Sequence, residues 1–200
     1  MANVLGIDVT QYRTPDHDVL GVFTRRWSPR AMSGEAVGQD HLLRMFEAAR
    51  WAPSSYNEQP WRFLYAHRDT PHWKTFFGLL GAPNQVWCEK AGVLVVIVTR
   101  TKFTHNGTPN RVAVFDAGSS WENMALQGVS MNLVVHGMAG FDYDRARTEL
   151  SIPAEFEPCA MVAIGKPGLV SDLPENLRAA ETPSSRRPIT ESIFEGPFRS

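Results

Sequence analysis

Hydrogen-bonding side chains are concentrated in the stretch from Ala52 to Trp61, which reads APSSYNEQPW. Two hydroxyls, an Asn amide and a Gln amide lie between Pro53 and Pro60. Because proline interrupts both helices and strands, neither the helical pattern before this stretch nor the strand pattern after it can run through. A polar loop held between two packed elements suits the binding of a flat polar ligand. The alternative is an ordinary helix-to-strand connection with an Asn turn.

A second candidate site lies in the segment RRWSPR, residues 25–30, where three guanidiniums and a hydroxyl fall within six residues. Guanidiniums match phosphate oxygens in a bidentate geometry and form strong, charge-assisted hydrogen bonds. The segment therefore indicates an anion site, and the alternative is a solvated basic helix end that the helix dipole favours. Further along the chain, Arg186 and Arg187 offer a second basic pair, for which the alternative is a solvated tail.

Patterns typical of other ligand sites and catalytic sites are missing from the sequence. There is no G-x-G-x-x-G after a strand pattern, no Walker A motif and no G-x-S-x-G elbow. The two cysteines do not form a C-x-x-C, and the six histidines show no H-x-x-x-H or H-x-H pair. No metal site or disulfide framework is therefore predicted.

The composition favours one globular domain over residues 1–200, with an N-terminal arm at residues 1–15. Of the 200 residues, 43% are hydrophobic and 20% are charged, which is enough for a real core. The net charge of −1 gives no sign of a nucleic-acid or membrane partner. Neither a membrane-length apolar run nor an N-terminal signal pattern is found, so we expect a cytoplasmic protein.

Hydrophobic spacing predicts helices and strands in alternation around these segments. Leu42, Phe46 and Ala49 form a helical stripe that leads into the Ala52–Trp61 loop, and the apolar run Val93–Val98 indicates a strand buried on both faces. Helices are predicted over Asp16–Arg26, Gln39–Trp51, Pro71–Leu80, Arg111–Met138 and Asp144–Leu150, and strands over Trp61–His67, Val93–Val98 and Cys159–Gly165.

The longest predicted helix, Arg111–Met138, would extend roughly 40 Å. A helix this long and apolar needs cover on several sides. The small residues at Ala117–Ser120 would allow another backbone to approach closely, and a helix buried within the monomer is the alternative. His136 is interpreted as a core histidine rather than a catalyst. The glycine-containing stretch Gly137–Asp142 is expected to close the helix.

The pattern P-S-S-x-N-x-Q-P-W, followed by an aromatic strand, resembles the signature loop of the nitroreductase family of FMN-dependent oxidoreductases. With three further matching segments, the resemblance covers about Leu20 to Pro188. It implies an α+β fold in which a mixed or largely antiparallel sheet is flanked by helices, with a long central helix at the interface of a homodimer. It also implies two noncovalently held FMN molecules at that interface, and we expect the tail at residues 184–200 to pack on the partner subunit.

The resemblance also implies roles for individual residues. Residues 26–30 resemble the FMN-phosphate segment of the family, with Trp27 at a position where the family often has Arg or His. Arg30 is expected near the flavin N1/O2 edge, where a fixed cation stabilises the charge left by two-electron reduction. Backbone N–H groups at Ala139 and Gly140 are expected to point at N5. The full set of predicted cofactor-binding residues is Arg26, Trp27, Ser28, Arg30, Pro53, Ser54, Ser55, Asn57, Asn84, Ala139, Gly140 and Arg186.

The activity that the resemblance implies is hydride transfer from NADH or NADPH to FMN, followed by reduction of a small-molecule acceptor such as a nitroaromatic or a quinone. Both substrates would use one pocket, so the kinetics should be ping-pong, and no side chain is assigned as catalytic acid, base or nucleophile. Three alternatives stay open: a flavin-handling protein without general reductase activity, a specialised reductase of the dehalogenase kind on the same fold, and a small-ligand-binding or scaffold domain that has lost flavin.

Overall fold

A computed structural model describes residues 4–198 and contains a four-stranded antiparallel sheet with the strand order β1-β2-β4-β3. This confirms the predicted α+β class. The strand at Trp61–His67 forms as predicted, and the predicted strands at residues 93–98 and 159–165 are each longer than their apolar runs. The strands are β1 (Trp61–His67), β2 (Val93–Arg100), β3 (Val134–Met138) and β4 (Phe156–Gly165).

Helices cover both faces of the sheet. The helices within residues 4–198 are α1 (Gly21–Arg25), α2 (Gln39–Arg50), α3 (Trp73–Leu79), α4 (Ala82–Cys88), α5 (Ala113–Ser130), α6 (Tyr143–Glu149) and α7 (Glu175–Arg178). None of them is long and apolar enough to cross a membrane.

The strand β2 divides the hydrophobic core into two layers. Leu94, Val96 and Val98 face one cluster, which includes apolar residues of α3, α4 and α6. The alternate residues Val93, Val95 and Ile97 face the other cluster, with α2 and α5. All six are essentially buried, as the continuous apolar run predicted, because a strand with both faces covered needs apolar residues at every position.

The prediction of one long helix over Arg111–Met138 is wrong for its second half. The helix α5 ends at Ser130, because Asn132 adopts a left-handed conformation with φ 57°. The N–H groups of Asn132 and Leu133 then bond back to the carbonyls of Val129 and Gly128, which closes the last turn. The chain reverses into β3, so that His136 lies on a strand and Gly137–Asp142 follows a strand rather than closing a helix.

The N-terminal residues are packed against the body of the protein. Val4 and Val9 are buried, and Asp8 caps the short turn at Val9–Gln11. The tail is fastened to the same region, because the N–H of Ile189 donates to Asp16 Oδ2 at 2.8 Å. The two ends of the described chain therefore lie side by side.

Gly128 shows how tightly α5 packs on its neighbours. A Cβ at this position would lie 2.4 Å from Val135 Cγ2 and 2.9 Å from Met45 Cε. We expect Gly128→Ala to lower the free energy of unfolding by about 1–3 kcal/mol, measured by urea denaturation. The control is Gly78→Ala in α3, where an added Cβ makes only an ordinary contact at 3.7 Å. A Gly128→Ala variant as stable as the control would mean that the layer has free space here.

Candidate flavin site at the β3 edge

Residues 26–30, here called the phosphate segment, lie beside the edge strand β3. The contact that fixes this position is a 3.0 Å hydrogen bond between His136 Nδ1 and the carbonyl oxygen of Pro29. Within the segment, Arg26 Nη1 donates to Ser28 Oγ at 3.3 Å, and Arg26 Nε lies 3.5 Å from a carboxylate oxygen of Glu122 on α5. The predicted guanidinium and hydroxyl are therefore held close together.

Trp27 occupies the middle of the phosphate segment and is buried. Its Nε1 has no hydrogen-bond partner among residues 4–198. A buried N–H without a partner costs about 1–3 kcal/mol, so this donor is a candidate for a ligand contact. Whether Trp27 contributes to phosphate binding stays a prediction.

The Ala139–Gly140 turn follows β3 and meets the predicted Asn84. Asn84 Nδ2 and the N–H of Gly81 both donate to the Gly140 carbonyl oxygen, each at 3.0 Å. A Cβ on Gly140 would come within 2.9 Å of Asn84 Nδ2, so only glycine lets the amide sit this close. The Ala139 carbonyl oxygen accepts from the Phe141 N–H at 3.0 Å, which orients the Ala139–Gly140 peptide and with it the Gly140 N–H. We call the phosphate segment, Asn84 and this turn the β3-edge site.

Arg186 reaches this region through a residue that we did not predict. The Arg13 guanidinium donates to the carbonyl oxygens of Ser184 (2.8 Å) and Arg26 (2.7 Å), and to that of Thr24. Burial lowers the pKa of Arg13, and the positive charges of Arg186 and Arg26 lower it further. Arg13 therefore links the segments that carry Arg26 and Arg186, while the Arg186 guanidinium itself donates to the carbonyl oxygen of Ser185 at 3.0 Å. It lies in the unpatterned arm, where no local signal distinguishes it.

The signature loop, Ala52–Trp61, has an unusual backbone. Tyr56, Asn57 and Gln59 have φ values of 53°, 54° and 49°. Residues other than glycine rarely adopt this left-handed backbone conformation. The resulting backbone strain, of order 1–3 kcal/mol per residue, is concentrated at functional sites. The left-handed residues make the loop a candidate functional site.

Two carboxylates and a hydroxyl hold the loop in this shape. Ser54 Oγ accepts from the Gln59 N–H at 3.0 Å, and Asp116 Oδ2 on α5 accepts from the Ser55 N–H at 3.2 Å. Burial raises the pKa of Asp116, and the bond from Ser55 opposes that rise. Glu58 accepts from the N–H and hydroxyl of Thr104 at 2.9 and 3.1 Å, which fastens the loop to the 101–109 connection.

The predicted site residues fall into two groups, one at each edge strand of the sheet. The signature loop, with Pro53, Ser54, Ser55 and Asn57, precedes β1 at one edge of the sheet. The β3-edge site lies at the opposite edge. Three inter-strand spacings of about 4.8 Å separate these edges, or roughly 14 Å. Both groups also contact α5, the loop through Asp116 and the phosphate segment through Glu122.

Protonation of His136 should destabilise the fold. Burial lowers its pKa to about 4, the charges of Arg30 and Arg26 act in the same direction, and the bond to Pro29 opposes them. The unfolded chain protonates its imidazole near pH 6.5. As pH falls from about 6.5 to 4, the unfolded state binds more protons, so the free energy of unfolding falls by roughly 1–3 kcal/mol from this residue.

The measurement is thermal unfolding between pH 4 and 7.5, and the test variant is His136→Asn, whose amide can still donate to Pro29. We expect this variant to lose part of the acid sensitivity, while His41→Asn on the exposed side of α2 keeps all of it. Equal acid sensitivity in the wild type and in His136→Asn would show that this imidazole does not control stability.

Comparisons with known proteins point to one family of oxidoreductases. A sequence profile described as the nitroreductase family matches residues 23–72, which hold the phosphate segment and the signature loop. A solved oxidoreductase containing FMN is 40% identical, with a TM-score of 0.90, over 100% of this chain and 99% of that one. A candidate nitroreductase in complex with FMN from Desulfovibrio desulfuricans is 27% identical with a TM-score of 0.71, over 92% of this chain and all of that one.

A more distant solved structure and a shorter sequence relative add to this. A nitroreductase family protein from Streptococcus pneumoniae, 18% identical, shares the fold with a TM-score of 0.70. An uncharacterized 15.4 kDa protein in the ask 5' region of Mycolicibacterium smegmatis is 31% identical over 87 residues. That match spans 43% of this chain and 58% of the relative, so the chain matches little more than half of the relative's length.

Proposed function

Because this chain belongs to the nitroreductase family of oxidoreductases, we propose that it is an FMN-dependent oxidoreductase that takes hydride from NADH or NADPH. The observation that carries the proposal is the β3-edge site. There, a guanidinium and hydroxyl pair lies beside one strand, and a glycine turn bonded to Asn84 leaves the end of the same strand. The Pro29 carbonyl oxygen bonds to His136, which lies three residues before Ala139. The phosphate segment and the glycine turn are therefore separated by roughly 10 Å along β3.

The residues at this edge fit a phosphate monoester joined to a flat polar ring. Arg26, Ser28 and Arg186 would hold the phosphate, since guanidiniums and a hydroxyl supply the charge-assisted bonds that it needs. Asn84 and the Ala139–Gly140 turn would hold the ring, and Arg30 would lie at its N1/O2 edge. Bound there, FMN supplies the hydride chemistry. The chain itself orients the ring and sets its electrostatic surroundings.

We further propose that the active form is a homodimer in which the signature loop of one subunit completes the β3-edge site of the other. The placement of the two groups at opposite edge strands of the sheet supports this arrangement. Val114 and Phe115 on α5 are 60% and 75% exposed, and nothing lies within 4 Å of a Cβ built on Gly118 of the same helix. An apolar surface of this kind favours burial against a second subunit. The exposed Ile193 and Phe198 of the tail would add to the same contact.

In this assembly the nicotinamide donor and the acceptor would occupy one pocket in turn. Nitroaromatics and quinones are the acceptor classes that we propose, because both are flat and could stack on the flat face of the flavin ring. The short connection at residues 101–109 places Phe103 and His105 next to Tyr56 of the signature loop, with ring centroids 5.7 and 5.5 Å from that of Tyr56. These rings would border the pocket from the loop side.

Steady-state kinetics with both substrates varied test the proposal. We expect parallel double-reciprocal lines with a quinone as acceptor, because the donor product leaves before the acceptor binds. Intersecting lines would contradict the shared pocket. A protein whose flavin bleaches with neither nucleotide would instead be a flavin-handling protein or an enzyme supplied by another reductase.

A further inference from the structure

A buried carboxylate connects the phosphate segment to the chain that leads into Arg186. Glu181 is 2% exposed, although the residues on either side of it are exposed. Its Oε1 accepts hydrogen bonds from the N–H groups of Arg30 and Ala31, the latter at 2.8 Å. Its Oε2 lies 3.4 Å from Arg30 Nη1. The same side chain therefore holds both the backbone and the guanidinium of Arg30.

The two hydrogen bonds from peptide N–H groups do not explain why residue 181 is a glutamate rather than a glutamine. A glutamine carbonyl oxygen could accept from both N–H groups, and burying a carboxylate costs far more free energy than burying an amide. A buried carboxylate at this position therefore needs a cation beside it. The only cation within salt-bridge distance of Glu181 among residues 4–198 is Arg30.

The Arg30 side chain is placed between this carboxylate and more open space. The Glu181 side chain is fully buried, whereas that of Arg30 remains 29% exposed. Arg30 belongs to the phosphate segment, which also carries Arg26 and lies next to β3. One end of the Arg30 guanidinium is thus anchored by Glu181, and the remainder of the side chain is accessible.

We propose that Glu181 is a positioning residue that aims the Arg30 guanidinium at the flavin and offsets part of its positive charge. This inference depends on the proposed function. A cation beside the flavin N1/O2 edge favours the reduced cofactor, and a carboxylate held on that cation weakens the effect. Glu181 therefore keeps the flavin a stronger reductant than Arg30 alone would allow.

The test is the two-electron reduction potential of FMN in the purified holoprotein, measured for the wild type, Glu181→Gln and Arg30→Gln. We expect Glu181→Gln to bind reduced FMN about tenfold more tightly relative to oxidised FMN, which moves the potential about 30 mV in the positive direction. Arg30→Gln should move it in the negative direction. Glu149→Gln is the control, because that carboxylate pairs with Arg145 at 2.8 Å at the C-terminal end of α6 and should leave the potential unchanged.

The potential separates this role from a purely structural one, since a loosened fold would lower FMN affinity without moving the potential in a set direction. An unchanged or more negative potential in folded Glu181→Gln would overturn the inference. If that variant does not fold, Glu181→Asp keeps the charge but draws it away from Arg30, and a smaller positive shift is expected, with no shift overturning the inference. A wild type that takes up no FMN would defeat the proposed function itself and this inference with it.

Discussion

Replacing Arg26 and Arg186 together by alanine should weaken FMN affinity by roughly 10²- to 10⁴-fold. Each guanidinium is proposed to make a charge-assisted bond to the phosphate, worth about 1.5–3 kcal/mol, so two bonds correspond to about 3–6 kcal/mol. Arg26 is only 17% exposed in its side chain, and Arg13 holds the segments of both arginines at carbonyl oxygens. The measurement is the dissociation constant for FMN from fluorescence quenching.

The matched control is Arg44→Ala with Arg147→Ala, which removes the same charge from two helix residues outside the predicted site. We expect the control to bind FMN like the wild type. Equal affinity in the Arg26/Arg186 variant would remove both residues from the phosphate site. Riboflavin, which lacks the phosphate, should bind the wild type and the variant with similar affinity.

A mixed dimer should recover one full-affinity site from two defective subunits. One subunit carries Arg26→Ala with Arg186→Ala, and the other carries Asn57→Gly, which deletes the amide but tolerates φ 54°. If each site takes its arginines from one subunit and its loop from the other, one site in the mixed dimer is intact and the other carries both defects. We therefore expect one FMN per dimer bound at wild-type affinity.

The measurement needs two affinity tags to isolate the mixed dimer, followed by FMN titration. Each parent homodimer should show weakened binding at both sites. If the site lay within one subunit, every site of the mixed dimer would carry a defect, and no wild-type affinity would return. A protein that remains monomeric at the concentrations used would contradict the shared site directly.

Local patterns in the sequence predicted the strands β1 and β2 and most helices, because the spacing of apolar residues along the chain shows which positions are buried. The second half of α5 could not be predicted in this way. Residues 131–138 continue the apolar spacing of the helix, and the residue that ends the helix is Asn132 rather than glycine. Asparagine tolerates the left-handed conformation, but it is a weaker signal for a helix end than glycine.

The signature loop and the phosphate segment could be predicted from motif spacing, but the residues that hold them could not. Arg13 meets Ser184, 171 residues away, and Glu181 meets Arg30, 151 residues away. Asp116 holds Ser55 from a helix whose sequence suggested only apolar packing. Such contacts depend on the tertiary fold, so a single carboxylate or guanidinium in an unpatterned segment carries no local signal of its role.

The measurement that tests the central claim most directly is an absorption spectrum of the purified protein, with FMN added if none is present, before and after anaerobic addition of NADPH or NADH. We expect flavin bands from noncovalently held FMN, which heat releases, and bleaching by at least one of the two nucleotides. A colourless protein that fails to take up added FMN would contradict the account of the β3-edge site.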